Sequence, residues 1–255
     1  LGRTRQDEYA WMKDDNWQAV LRDPALLRPE IADHLRAENA YTQSILSGTE
    51  ALQAQLVAEM KGRMQPDDTY PPLPHGPFLY QTSYAAGSEY PVYSRHPATD
   101  PQAEQVLLDV NEAARGHDYY AVAAATHSPD HTLFAHAEDT QGSEIYRICI
   151  RHLDDNAATI PGVDNCSGAF VFSPDSRFLF WVWRDEHGRP ARVYRRRIGD
   201  EVDTLVYEEP DPGFFVGVDA TRSGGWIIIS SGNHDTSEAW LVPGHDPQAS
   251  AICAA

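Results

Sequence analysis

His127, His131 and His136 stand close together in the chain, and clustered imidazoles are ligands for zinc-class cations. Pro129 lies between the first two. It removes the helix that would bring His127 and His131, four residues apart, onto one face. His131 then belongs to a turn and His136 projects from a strand, so no metal site is expected. Ser128, Asp130 and His131 hold the residue types of a hydrolytic triad. Their spacing builds no geometry in which a carboxylate orients an imidazole toward the serine, and the set is rejected. The pairs Asp154–Asp155, Asp185–Glu186 and Glu208–Glu209 are candidate general acid/base pairs. Neighbours on a strand point to opposite faces, however, and these acids read as solvated turn residues.

The motif search is negative elsewhere. No serine has a glycine two places before it, so the G-x-S-x-G nucleophile elbow is missing. Phosphate-loop, dinucleotide and H-E-x-x-H patterns are also missing. Cys149, Cys166 and Cys253 are odd in number and widely spaced, which gives neither a disulfide framework nor a C-x-x-C pair. Cys149 lies among Tyr146, Ile148 and Ile150 and reads as a small core side chain. Asn165-Cys166-Ser167 fits a glycosylation sequon, a pattern common by chance. The sequence therefore offers no catalytic, cofactor-binding or metal-binding residue.

The elements around these residues fall into two regions. Residues 1 to about 64 read as helical. Pro29 suits the first turn of a helix, and the stretch to Leu46 runs without Gly or Pro. Gly48 punctuates it, and Thr49 is placed to cap the next helix. There Leu52, Leu56, Met60 and Met64 draw one apolar stripe at helical spacing. So narrow a stripe must pack on something else. Tyr9, Trp11, Trp17, Val20 and Leu21 crowd a segment ending at Asp23-Pro24, which reads as an anchored arm. Gln65-Pro66-Asp67-Asp68 and Pro71-Pro72-Leu73-Pro74 then break the helical pattern.

From Phe78 onward, short apolar runs alternate with Gly, Pro, Asp and Asn. A repeat organises them. His127-Ser128-Pro129-Asp130, Phe172-Ser173-Pro174-Asp175 and Thr221-Arg222-Ser223-Gly224 each precede an apolar strand, an acidic turn and a strand carrying an aromatic. The period of roughly 45 to 50 residues suits one four-stranded propeller blade. A partial copy precedes these, from Phe78 to Leu108. The fold class is mainly β, with about four blades of a propeller after an N-terminal helical arm. The arm covers 1–70 and the partial propeller 71–255, with blades near 75–115, 116–165, 166–210 and 211–255. Trp181, Trp183, Tyr194, Trp226 and Trp240 are assigned to packing between blades. Each blade has two apolar faces and needs a neighbour on both. An arc cut from a larger ring is favoured over a closed four-bladed ring.

Composition narrows the partners. The 255 residues are 42% apolar and 23% charged, enough for a sizeable core. The net charge of -18 argues against nucleic acid, which requires clustered Lys and Arg, and favours basic ligands by steering. No apolar run is long enough to cross a bilayer, so no membrane partner is expected. No signal-peptide pattern is visible. A cytoplasmic location is expected; because the chain begins at Leu1, a periplasmic one stays open.

Several short motifs, in order along nearly the whole chain, carry a family resemblance. Asp7-Glu8-Tyr9-Ala10-Trp11-Met12 resembles the segment that opens the fold of prolyl oligopeptidase-family enzymes. Ala37-Glu38-Asn39-Ala40-Tyr41-Thr42 is similar to the following helix in the oligopeptidase B (protease II) branch. Tyr90-Pro91-Val92-Tyr93, Leu107-Leu108-Asp109-Val110-Asn111, Gly142-Ser143-Glu144-Ile145-Tyr146 and Leu205-Val206-Tyr207-Glu208-Glu209 continue the likeness. The resemblance implies a seven-bladed propeller capping an α/β-hydrolase domain with a Ser-Asp-His triad, and cleavage of short peptides after Arg or Lys. The propeller would limit substrate size, and the arm would pack on the hydrolase domain. None of the triad residues, nor the carboxylates that read the basic side chain, maps onto this chain. A stand-alone propeller serving as a protein-binding platform is the alternative.

Overall fold

The computed structural model describes residues 2, 4, 6–65, 68–154 and 160–254. Pro66 and Asp67 of the expected helix break, and Asp155 of the first acidic pair, lie outside the described residues. The chain divides into two compact units. One comprises Leu1–Pro72 with Gln81–Pro91, the other Leu73–Tyr80 with Val92–Ala255.

The first unit carries α1 (Trp17–Arg22), α2 (Pro29–Leu46) and α3 (Glu50–Lys61). Pro29 occupies the first turn of α2, as its fixed φ favours. Ahead of α2, Asp14 is buried. It accepts hydrogen bonds from the backbone N–H of Arg28 at 2.9 Å and of Asn16 at 2.9 Å, and these hold its carboxyl below its ordinary pKa. The Arg28 guanidinium donates to the carbonyls of Lys13, at 3.1 Å, and Trp11. The aromatic segment is thus tied to the start of α2. Thr49 does not cap α3: its hydroxyl donates back to the Leu46 carbonyl at 2.7 Å. Thr49 sits in helical φ/ψ, within a short 3-10 turn joining the two helices, so its side chain cannot reach forward to the free N–H groups. The arm ends in β1 (Asp68–Thr69), which pairs with Ser83 and Tyr84. That pairing places residues 81–91 in the first unit, and the division falls after Pro72 where 70 was expected.

The second unit is built of sheets. β2 (Leu73–His75) forms a hairpin with the start of β3 (Phe78–Tyr84), followed by β4 (Val92–Pro97), β5 (Gln105–Asp109) and the short α4 (Val110–Ala113). Next come β6 (Ala121–His127), β7 (Leu133–Asp139), β8 (Tyr146–His152) and β9 (Ile160–Phe172). β10 (Phe178–Arg184), β11 (Pro190–Arg197) and β12 (Asp203–Glu208) follow. β13 (Phe215–Ala220), β14 (Trp226–Gly232), β15 (Ser237–Pro243) and β16 (Ile252–Cys253) complete the chain. The pairings are antiparallel between sequence neighbours, as in propeller blades.

The expected blade boundary at 165/166 falls inside β9. Its first half pairs with β8 through Ile160, Val163 and Cys166, and its second half with β10 through Phe170, Val171 and Phe172. One continuous strand therefore closes one blade and opens the next, joining seven strands into a single sheet.

The repeated Ser-Pro-Asp has a physical role. Ser128 N–H donates to the Leu133 carbonyl and Leu133 N–H donates to Ser128 Oγ, both at 2.9 Å, while that hydroxyl donates to Asp130 at 2.6 Å. Ser173, Phe178 and Asp175 repeat the pattern at 2.8, 2.9 and 2.6 Å. Both serines are fully buried. Each side chain satisfies the backbone of a tight turn that water does not reach.

Three apolar clusters hold the blades: a small one of Leu107, Phe134 and Leu153, and two larger seams. Leu133, Ala135, Ala137, Ile148 and Ile150 pack on Phe170, Phe172, Leu179 and Trp181. Phe178, Phe180, Val182 and Val193 pack on Val216, Ile227, Ile229 and Val242. Strand alternation produces this, since successive residues of β10 serve opposite seams. Trp181 stacks on Tyr194 and Trp240 contacts Tyr207, each at 5.2 Å between ring centres. Trp226 departs from its expected packing role: it lies 40% exposed on β14.

Candidate functional site

The arm offers a surface for contact. α3 buries none of its residues and α2 buries only Ile31. Leu52, Leu56, Met60 and Met64 are 46–71% exposed, so the stripe read from their spacing has no cover. Contiguous apolar exposure of this kind marks an interaction face.

Ser128, Asp130 and His131 are adjacent in space without forming a triad. Ser128 Oγ is occupied by Asp130 and the Leu133 N–H. The neighbouring His127 directs Nδ1 to the Ser128 carbonyl at 2.8 Å, not to the hydroxyl. His131 directs Nδ1 to the Tyr80 hydroxyl at 2.8 Å. The structure does gather imidazoles, but in a different set from the sequence cluster. His75, from the β2–β3 hairpin, brings Nδ1 within 3.0 Å of His127 Nε2. His131 joins them, its ring centre 5.1 Å from each of the other two. His75 lies fifty-two residues before His127, and only strand pairing reveals it.

His136 belongs to a second polar group. Its Nε2 lies 3.3 Å from Glu138, which also accepts from the Tyr120 hydroxyl and from Cys149 Sγ at 3.3 Å. The hydrogen bond from His136, followed by those from Tyr120 and Cys149, outweighs burial and brings the Glu138 carboxyl from 4.5 down to about 2. Burial, together with the Glu138 charge, pushes the Cys149 thiol up to about 12. Cys149 is therefore a protonated donor, poorly suited to nucleophilic chemistry. It does not share the core of Ile148 and Ile150, because strand alternation turns it to the other face.

A pH prediction follows. A carboxyl with a depressed native pKa stabilises the fold above its unfolded pKa, and that contribution is lost as pH falls through the native value. Glu138→Gln should be less stable than the unsubstituted protein near neutral pH. The gap should narrow as pH drops from 4.5 toward about 2. Urea midpoints of both proteins across that window check it; a constant gap would contradict it.

The acidic pairs also separate. Asp185 closes a turn, accepting from the Arg189 backbone N–H at 3.0 Å and from its side chain at 3.0 Å. Glu209 is no solvated loop residue but is buried. It accepts from Tyr207 Oη at 2.8 Å, Asp211 N at 2.9 Å and Ser231 Oγ. Tyr207 and Glu209 flank the end of β12 and Ser231 lies on β14, so Glu209 links the third and fourth blades.

With the blades, their turns and the open arm in place, the family comparison is decisive. The description "Prolyl oligopeptidase, N-terminal beta-propeller domain" matches residues 1–253. The chain belongs to this family. Among the family's curated relatives, a dipeptidyl aminopeptidase BI of Pseudoxanthomonas mexicana is 32% identical over 96% of this chain and 35% of its own length. A protease 2 of Moraxella lacunata is 29% identical over 96% of this chain and 35% of its own. The chain thus spans 35% of the length of these relatives. Among solved structures, oligopeptidase B from Leishmania major superimposes with a TM-score of 0.88 at 28% identity, over 99% of this chain and 35% of that one. Oligopeptidase B from Trypanosoma brucei, in a closed form with covalently bound antipain, gives 0.84 at 28% identity, over 98% of this chain and 34% of that one.

Proposed function

We propose that this chain is the non-catalytic propeller region of an oligopeptidase B-like serine endopeptidase that cleaves short peptides after Arg or Lys. In this reading the propeller gates substrate size over an α/β-hydrolase domain of the same protein, and the triad belongs to that domain. The observation that carries the reading is the match to oligopeptidase B across 99% of the chain at 28% identity. The uncovered stripe on α3 supports it, as a face for the hydrolase domain. A net charge of -18 suits basic peptides, which it would draw toward the protein. We place the protein in the cytoplasm; no helix among the described residues is long and apolar enough to cross a membrane.

The test uses the protein at its full encoded length and, in parallel, residues 1–255. The full protein should hydrolyse an N-terminally blocked arginyl amide, with activity lost to a serine-directed inhibitor, while residues 1–255 show no turnover. A short basic peptide should be cut, and a folded protein displaying the same sequence should not. Serine-inhibited turnover by residues 1–255 would overturn the assignment. Equal cleavage of peptide and folded protein would overturn the gate. The relative named dipeptidyl aminopeptidase favours a second reading, removal of dipeptides from free N-termini; preference for unblocked over blocked substrates would select it. No activity at full length would favour a binding platform.

A further inference from the structure

We propose that His75, His127 and His131 form a binding site for a divalent transition-metal cation of the zinc class, held by three imidazole nitrogens with water completing the shell. The three residues offer ligand atoms within 4.8 Å of one another. A tetrahedral zinc with ligands at about 2.0–2.1 Å separates its nitrogens by little more than 3 Å, and His75 Nδ1 and His127 Nε2 already lie 3.0 Å apart. Three protein ligands plus an open position is an established zinc arrangement.

The outer contacts point the same way. A metal-binding histidine commonly donates its second ring N–H to a fixed oxygen, which aims the other nitrogen at the metal. His127 Nδ1 faces the Ser128 carbonyl at 2.8 Å, so it must carry the proton and leaves Nε2 as a bare lone pair. His131 Nδ1 faces the Tyr80 hydroxyl at 2.8 Å, which frees its Nε2. Beside that nitrogen stands Gly76, where a Cβ would come within 2.4 Å. The glycine keeps the space open.

The repeat supplies an independent observation. His131, Ser176 and Gly224 occupy the same turn position, all with left-handed backbone, at φ of 63, 60 and 68°. The other blades fill it with the small residues Ser and Gly. The second blade places a full imidazole there. His127 likewise stands where the other blades carry Phe172 and Ala220. Both departures fall on the blade that His75 approaches. The Arg95 guanidinium opposes a cation. It donates to the His131 carbonyl at 2.7 Å and to Gln105 at 2.8 Å, and lies over the Phe78 ring at 4.1 Å. Its charge lowers the affinity expected for a cation.

The experiment titrates tag-free, full-length protein with zinc against a chromophoric chelator and follows melting temperature in parallel. One equivalent should bind, melting temperature should climb with the logarithm of free zinc, and magnesium and calcium should do neither. His75→Gln and His131→Asn should each weaken binding by roughly tenfold or more. Asn tolerates the left-handed backbone, and exposed His75 can be changed without disturbing the core, so one folded variant suffices. Cobalt(II) should give the visible bands of a four-coordinate site. Absent saturable zinc binding, or zinc binding unchanged in His75→Gln, would overturn the site.

Discussion

Phe180→Ala should lower the unfolding free energy by about 3–5 kcal/mol, the cost of emptying a large side chain from a closed core. Phe180 is fully buried on β10, among Val193, Val216, Ile227 and Ile229. The seam joins two sheets whose strands are fixed by their own ladders, so it has little freedom to collapse into the space. The loss comprises the transfer of the ring and the cavity left behind. Phe180→Leu should cost distinctly less, and Phe215→Ala, at a ring already 55% exposed, should stay within roughly 1 kcal/mol. Denaturant midpoints of the three variants test the ranking. Equal effects at Phe180 and Phe215 would mean that the seam between the third and fourth blades is not closed in solution.

Glu209→Ala should cost about 2–4 kcal/mol, a size unusual for an acid in a segment between strands. The carboxylate gathers donors from Tyr207, Asp211 and Ser231, and Ser231 is 1% exposed. Removing the acceptor strands the buried Ser231 hydroxyl away from water, which costs more than that hydrogen bond was worth. Glu209→Gln keeps the shape and one acceptor oxygen and should lose about half as much. Ser231→Ala combined with Glu209→Ala should lose less than the sum of the single changes, because the stranded hydroxyl goes with it. Additive effects in that cycle would show that Ser231 and Glu209 act independently.

Local chemistry explains what the sequence disclosed. The α2 boundaries follow from Pro29 and from an uninterrupted stretch to Leu46. The blade repeat shows because Ser128 and Ser173 each satisfy a buried turn and little else would. Features that depend on pairing distant segments stayed hidden. His75 gives no local sign of meeting His127, and Glu208-Glu209 looks like any acidic turn until β14 brings Ser231 to it. Cys149 was legible in principle: counting alternate residues from Ile148 and Ile150 places it on the opposite face. Trp226 is apolar enough for a seam, but its register on β14 sets it opposite to Ile227 and Ile229. The shared strand β9 escaped notice because a boundary between repeats is sought at a break, and here the backbone runs straight through.

That strand fixes where the protein can yield. Tyr146 on β8 and Trp183 on β10 both pair with Cys166, so the hydrogen-bond ladders of two blades meet on one residue. Prying these blades apart would tear peptide hydrogen bonds, whereas among the described residues the packing and hydrogen bonds across the junction of the third and fourth blades run through side chains, among them Phe180 and Glu209. Compliance is therefore unevenly distributed. The second and third blades behave as a stiff plate, and thermal breathing that widens the assembly concentrates at the side-chain junction.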